Sequence, residues 1–142
     1  MKRTLFGALM TLIVAFTVAV PVVHAQSSII MTANVPFAFT VGQSQLPAGS
    51  YAVREISDRA TLIQSKDGHD KVLGLYNPAG PSKSDETKLV FDKVGDHYFL
   101  TQIWTSARGQ GLAVPESKLE KELRAANTGT MGGAETVIVA LR

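Results

Sequence analysis

Apolar and polar residues alternate in short runs along most of this chain, and the dominant period is two, that of a β-strand. Ile29 to Ala33 and Phe37 to Val41 are the first such runs. Pro36 separates them; it cannot donate to a strand ladder, so it marks an edge, a bulge or a change of sheet. Gly42 to Gly49 has the composition of a turn region, with Pro47 fixing φ and Gly49 tolerating a positive one. Tyr51 to Ile56 follows, then Thr61 to Lys66 after the polar break Ser57-Asp58-Arg59.

Asp67-Gly68 is the clearest hairpin signal, because a two-residue turn wants a left-handed pair that Asp and Gly adopt cheaply. It joins Thr61–Lys66 to Lys71–Tyr76, and the Pro-, Gly- and Ser-rich stretch from Asn77 to Thr87 is expected to be a surface loop. A second hairpin runs from Lys88–Lys93 through Val94-Gly95-Asp96 into His97–Thr105. In that longest strand Tyr98, Leu100, Gln102 and Trp104 share one face while Phe99, Thr101 and Ile103 share the other. Both faces are partly apolar, which predicts a central strand.

One segment has helical spacing, starting at Pro115, with Leu119, Leu123 and Ala126 on one stripe and Glu120 and Arg124 as an i,i+4 pair. A helix of about 11 residues does not persist alone in water, so its leucines are expected to dock on the sheet. The glycine-rich stretch Thr128 to Gly133 leads to a last apolar strand, Thr136 to Leu141. About eight strand candidates with one short helix in the C-terminal half predict a mainly β fold, an antiparallel β-sandwich or small barrel.

Ahead of this pattern, Lys2 and Arg3 precede an uncharged apolar run from Leu5 to Val20, which Pro21 ends; Val23-His24-Ala25 then offers the small residues that a signal peptidase reads. A signal peptide over 1–25, cut between Ala25 and Gln26, leaves one exported β domain over 26–142, which is 117 of the 142 residues. The expected location is the periplasm or the outside of the cell. Uncleaved, the same run would be a membrane anchor, the one membrane contact expected.

The chain has no cysteine, which removes lipoprotein, thiol and disulfide chemistry. Without Lys2 and Arg3, the 14 basic residues become 12, equal to the 12 acidic ones. A neutral domain with interspersed charges and few aromatics is not expected to bind nucleic acid. At this length it should bury about two thirds of its unfolded surface, enough for a core without disulfides.

The segments Val35-Pro36-Phe37-Ala38-Phe39-Thr40-Val41-Gly42, Leu46-Pro47-Ala48-Gly49-Ser50-Tyr51, Phe99-Leu100-Thr101-Gln102-Ile103-Trp104 and Val114-Pro115-Glu116-Ser117-Lys118 span most of the exported part. Together this pattern resembles small exported bacterial proteins of unknown function, common in acidobacteria. The turn ending in Tyr51 is also similar to one in carbohydrate-binding and transthyretin-like β-sandwiches. The resemblance implies export and a β domain and brings no catalytic residue.

Chemical candidates are sparse. His69 lies beside Asp67 and Asp70, and His97 beside Asp92 and Asp96; adjacent hairpins would bring imidazoles and carboxylates together, but turn histidines are ordinarily solvated and no metal is expected. Ser50 lacks a strand-to-helix elbow, Glu55 and Asp58 lack a deep cleft, and Arg108-Gly109-Gln110-Gly111 lacks the lysine and helix start of a phosphate loop. No catalytic activity and no cofactor are expected. The expected function is a noncatalytic binding or interaction module for a protein or glycan at the cell envelope or outside the cell. The alternative is a carrier of small apolar ligands, with Phe37, Phe39, Tyr98 and Trp104 lining one pocket.

Overall fold

The computed structural model describes residues 30–81, 86–106, 109–127 and 134–142; the segment expected to be a signal peptide, the expected cut after Ala25 and the glycine-rich stretch 128–133 lie outside them. In chain order the strands are β1 (Ile30–Val35), β2 (Phe39–Val41), β3 (Ser44–Leu46), β4 (Gly49–Glu55), β5 (Ala60–Ser65), β6 (Lys71–Leu75), β7 (Asn77–Pro81), β8 (Lys88–Val94), β9 (His97–Trp104), β10 (Gln110–Ala113) and β11 (Glu135–Ala140). Among the described residues there is one helix, α1 (Lys118–Asn127), which precedes β11. The protein is mainly β.

Two sheets form, ordered β1-β4-β5-β6 and β11-β8-β9-β10-β7, with β2 and β3 attached to the second. All pairings are antiparallel except the parallel contact of β2 with β9. The strand order stays open, so the sandwich alternative holds and the small barrel does not. Pro36 marks a change of sheet: β1 belongs to the smaller sheet and β2 to the larger.

Alternation supplies the core. β1 buries Met31, Ala33 and Val35 and exposes the residues between them. These pack with Tyr51, Val53 and Ile63 of the smaller sheet against Phe39, Leu89, Phe91, Leu100, Ile103 and Leu112 of the larger. Each such large side chain contributes about 1.5–3 kcal/mol on leaving water. The hairpin at Asp67-Gly68 forms, but not through a two-residue turn: Ser65 and Asp70 close a four-residue connection, Gly68 alone takes a positive φ, 79°, and its amide donates to the Ser65 carbonyl at 2.9 Å.

Several local expectations are corrected. The turn region 42–49 contains β3, and the loop expected over 77–87 contains β7. β7 carries Pro78 and Pro81 and is tolerated because it lies at a sheet edge, where missing donors cost no ladder bond. β9 is central, as expected, but its two faces are not the ones simple alternation assigns. Gln102 pairs with Val90 and Leu100 with Phe91, so Thr101 is an extra residue and forms a bulge. Beyond it the parity flips: Tyr98, Leu100 and Ile103 face the inter-sheet core, while Phe99, Gln102 and Trp104 face outward. β11, an apolar run, is an edge strand whose Ile138 is exposed.

α1 departs most from expectation. Ser117 caps it, its Oγ accepting the Glu120 amide at 3.0 Å, and Pro115 lies before the first turn. Leu119 is exposed and Leu123 only half-buried; the buried residue of the helix is Glu120. Arg124 explains this: its Nη2 donates to Glu120 at 2.7 Å and to Asp92 of β8 at 2.7 Å, with Glu116 3.5 Å from its Nε. Asp92 lies on the outer face of β8 and β9 with Val90, Val94 and Phe99, all three buried outside the inter-sheet core. Charge ties the helix to that face, with Leu119 in solvent and Leu123 half-buried.

Candidate interaction surface

The smaller sheet turns its second face to solvent; Thr32, Asn34, Gln64 and Lys71 occupy one part of that face and apolar side chains the other. Pairing places Ile30, Arg54, Leu62 and Leu73 in one cross-strand row and Ala60 and Leu75 in the next. Leu73 is 64% exposed and Leu75 76%, with Ile30 at 51% and Ile56 at 54%. Scattered surface leucines are ordinary; a row of them on one sheet face is not.

The same strand leaves an open edge. Asp70 and Tyr76 spend their backbone groups on β5, through Ser65 N–H to Asp70 O at 2.8 Å and Tyr76 N–H to Arg59 O at 2.8 Å. Antiparallel alternation then directs the N–H and C=O of Lys71, Leu73 and Leu75 away from β5. Three other edges carry protection: β7 has Pro78 and Pro81, β3 spans three residues, and β1 bonds Arg142 through Thr32 at 2.7 and 2.9 Å; β11 is a second apolar edge, with Ile138 59% exposed. β6 has one charge, Lys71, no proline and an unbroken register. A groove of about 320 Å³ runs beside it, lined by Val41, Val72, Leu75, Val114, Pro115 and Glu116.

Tyr76 seals the crossing from β6 to β7. It is buried, its hydroxyl has no hydrogen-bond partner among the described residues, and burial pushes its pKa up to about 12. A second groove, about 570 Å³, lies where β1 and β4 meet the end of the chain, with Thr32, Asn34, Ser50, Lys66 and Arg142 on its walls.

The four aromatics singled out from the sequence do not share a pocket. Phe37 stacks on Tyr98 with centroids 4.0 Å apart and meets Phe91 edge-on at 5.2 Å. Phe39 is core, 1% exposed, between Tyr51 and Phe91 at 5.2 and 5.3 Å. Trp104 lies about 20 Å along β9 from Tyr98 and, past the bulge, on the opposite face. Its indole N–H donates to Gln102 Oε1 at 2.8 Å, and its ring covers Gly111, whose added Cβ would come within 2.8 Å of it.

The polar candidates serve local structure. His69 and His97 sit on hairpins of different sheets, and the described residues contain no group of three or more metal-ligating side chains. Asp67 accepts from the Ser65 hydroxyl and from the His69 amide at 3.1 Å, which holds its carboxyl below the usual range. Asp92 is engaged by Arg124, and Glu55 accepts from Thr105 Oγ1 at 2.7 Å across the sandwich. Ser50 stands exposed at the start of β4.

Sequence reasoning passed over Leu73 and Leu75. Their one signal was Val72-Leu73-Gly74-Leu75, in which no polar parity marks a solvent face. No protein-family model, curated protein or solved structure matches the chain.

Proposed function

We propose that this chain is a noncatalytic exported interaction module that engages its partner through the edge of β6 and the apolar face beside it. The observation that carries this reading is the exposure of Leu73 and Leu75 on a strand whose outward backbone groups are unprotected. A partner strand laid on β6 would satisfy those groups and cover both leucines. Export is supported by Lys2 and Arg3, the apolar run after them and the small residues before Gln26. This reading is preferred to a carrier of small apolar ligands because Phe39 belongs to the packed core and Trp104 stands apart from Phe37 and Tyr98.

The test is an NMR titration of the exported protein with a soluble extended Val/Leu-rich peptide. Amide shifts centred on Lys71, Leu73 and Leu75 are the expected result. Shifts centred on Trp104, or none at millimolar peptide, refute it. Mass spectrometry of the same preparation should find Gln26 as first residue, and an intact Met1 refutes cleavage.

A further inference from the structure

We infer that the polar part of the smaller sheet's outer face binds an acidic polysaccharide, a chain of hydroxylated rings bearing carboxylates. This goes beyond the reading above: it uses other side chains of that face and stands whether or not a strand adds to β6.

Strand register builds the site. One cross-strand row runs Thr32, Ala52, Gln64, Lys71, and Arg142 extends it by exchanging main-chain bonds of 2.7 and 2.9 Å with Thr32. The row on one side holds Asn34 and Ser50, and continues to Lys66, whose amide donates to the Ser50 carbonyl at 2.9 Å. On the other side stands Arg54, between Ile30 and Leu62. Gln64 therefore has Lys71 directly opposite, Lys66 two residues on and Arg54 on a diagonal, with all three β-carbons within about 8 Å of its own.

No carboxylate occupies these rows. The acids of the adjoining turn are directed elsewhere: Asp70 opposes Ser65, whose parity is that of the core side, and Asp67 is held by the Ser65 hydroxyl and the His69 amide. Among the described residues Arg54, Lys66 and Lys71 form no ion pair; the cations that do are Lys88, Lys93, Lys118 and Arg124. Beyond residue 25 the chain has as many acids as bases, yet one face gathers unpaired cations alone. That asymmetry selects an anionic ligand.

What lies between the cations decides the kind of anion. Thr32, Asn34, Ser50 and Gln64 supply hydroxyls and amides that both donate and accept, as sugar hydroxyls require. No aromatic ring stands in these rows for a base to stack on, which disfavours single-stranded nucleic acid. The surface is also a trough: the groove of about 570 Å³ has Lys66 and Arg142 on its walls, and Ala52, the smallest side chain of its row, leaves it depth. A trough receives a chain, whereas a bilayer presents a plane. From Arg142 to Lys71 the row crosses four strand spacings, about 19 Å, the length of a short oligosaccharide.

The experiment is an NMR titration of the exported protein with tetragalacturonate, and with maltotetraose as an uncharged chain of the same length. Amide shifts centred on Ser50, Ala52, Gln64 and Lys66, saturating at about millimolar sugar, are the expected result. Maltotetraose should bind at least about tenfold more weakly, and raising salt from about 0.05 to 0.5 M should weaken the acidic sugar about tenfold. Lys66→Glu and Lys71→Glu, at exposed side chains, should each weaken binding about five- to tenfold, while Lys118→Glu, 85% exposed on the helix, should leave it unchanged. Spectra of the free variants that match the parent away from the changed residue establish that the fold is kept. No shift at about 10 mM tetragalacturonate, equal binding of maltotetraose, or indifference to both reversals overturns the inference. Tighter engagement of the same amides by single-stranded DNA or by phosphatidylglycerol vesicles assigns the face to another polyanion and likewise overturns it. The peptide titration at Leu73 and Leu75 is read separately, so either site can fail alone.

Discussion

Replacing Arg124 by alanine tests whether charge holds the helix. The guanidinium contacts Glu120 and Asp92 at 2.7 Å each, and the Glu120 side chain is 4% exposed. Removing one partner from a buried ion pair costs about 3–5 kcal/mol, because the other charge stays buried and uncompensated. The Arg124 side chain is 33% exposed and that of Asp92 23%, so solvent screens part of the loss. The expected cost is about 2–3 kcal/mol, or a fall of about 10 °C in Tm for a domain of this size. Leu123→Ala, at a half-buried site, should cost about 1 kcal/mol. Urea unfolding at pH 7, followed by Trp104 fluorescence and far-ultraviolet circular dichroism, measures both. A cycle of Arg124→Ala, Glu120→Ala and the double variant should return a coupling of about 1.5–2 kcal/mol, since the second removal no longer strands a charge. A cost for Arg124→Ala below about 0.5 kcal/mol, or below that of Leu123→Ala, would return the helix to its leucine stripe and refute the argument.

Burial raises the Tyr76 pKa from 10.0 to about 12. The phenol is neutral in both states below pH 10, so its full stability is present there; between pH 10 and about 12 the unfolded chain ionises first and stability falls by about 2–3 kcal/mol. Tyr76→Phe should flatten that alkaline loss, by denaturant titration across pH, and be neutral or slightly stabilising at pH 7, since it deletes a buried hydroxyl lacking a hydrogen-bond partner. A steeper loss in the variant would contradict this. Gly111→Ala should drive its methyl group into the Trp104 ring and shift the indole emission to the red, with about 1–3 kcal/mol lost; an unchanged spectrum counts against the contact. Gly68→Val should cost about 2 kcal/mol by urea midpoint, because a β-branched residue resists φ 79°, and an unchanged midpoint would argue for a different turn.

Local chemistry determined much of this protein. Runs of period two can bury one face only as strands, which is why a mainly β fold was legible from Met31-Thr32-Ala33-Asn34-Val35 onward. Asp67-Gly68 marked the hairpin, though not the length of its turn, and Pro36 marked a break in the ladder; that the break is a change of sheet and not an edge or a bulge was decided by tertiary packing. The tertiary structure decided the rest, because it depends on partners remote in sequence. The extra residue at Thr101 has no composition of its own; it exists because Leu100 and Gln102 must meet Phe91 and Val90. The Leu119 stripe was a sound helical pattern, yet Asp92, 32 residues before Arg124, offered a charge that took the helix by its other side. Lys71-Val72-Leu73-Gly74-Leu75 spells the same strand whether its edge is covered or bare, and it is the position of β6 at the end of a four-stranded sheet that leaves two leucines in water.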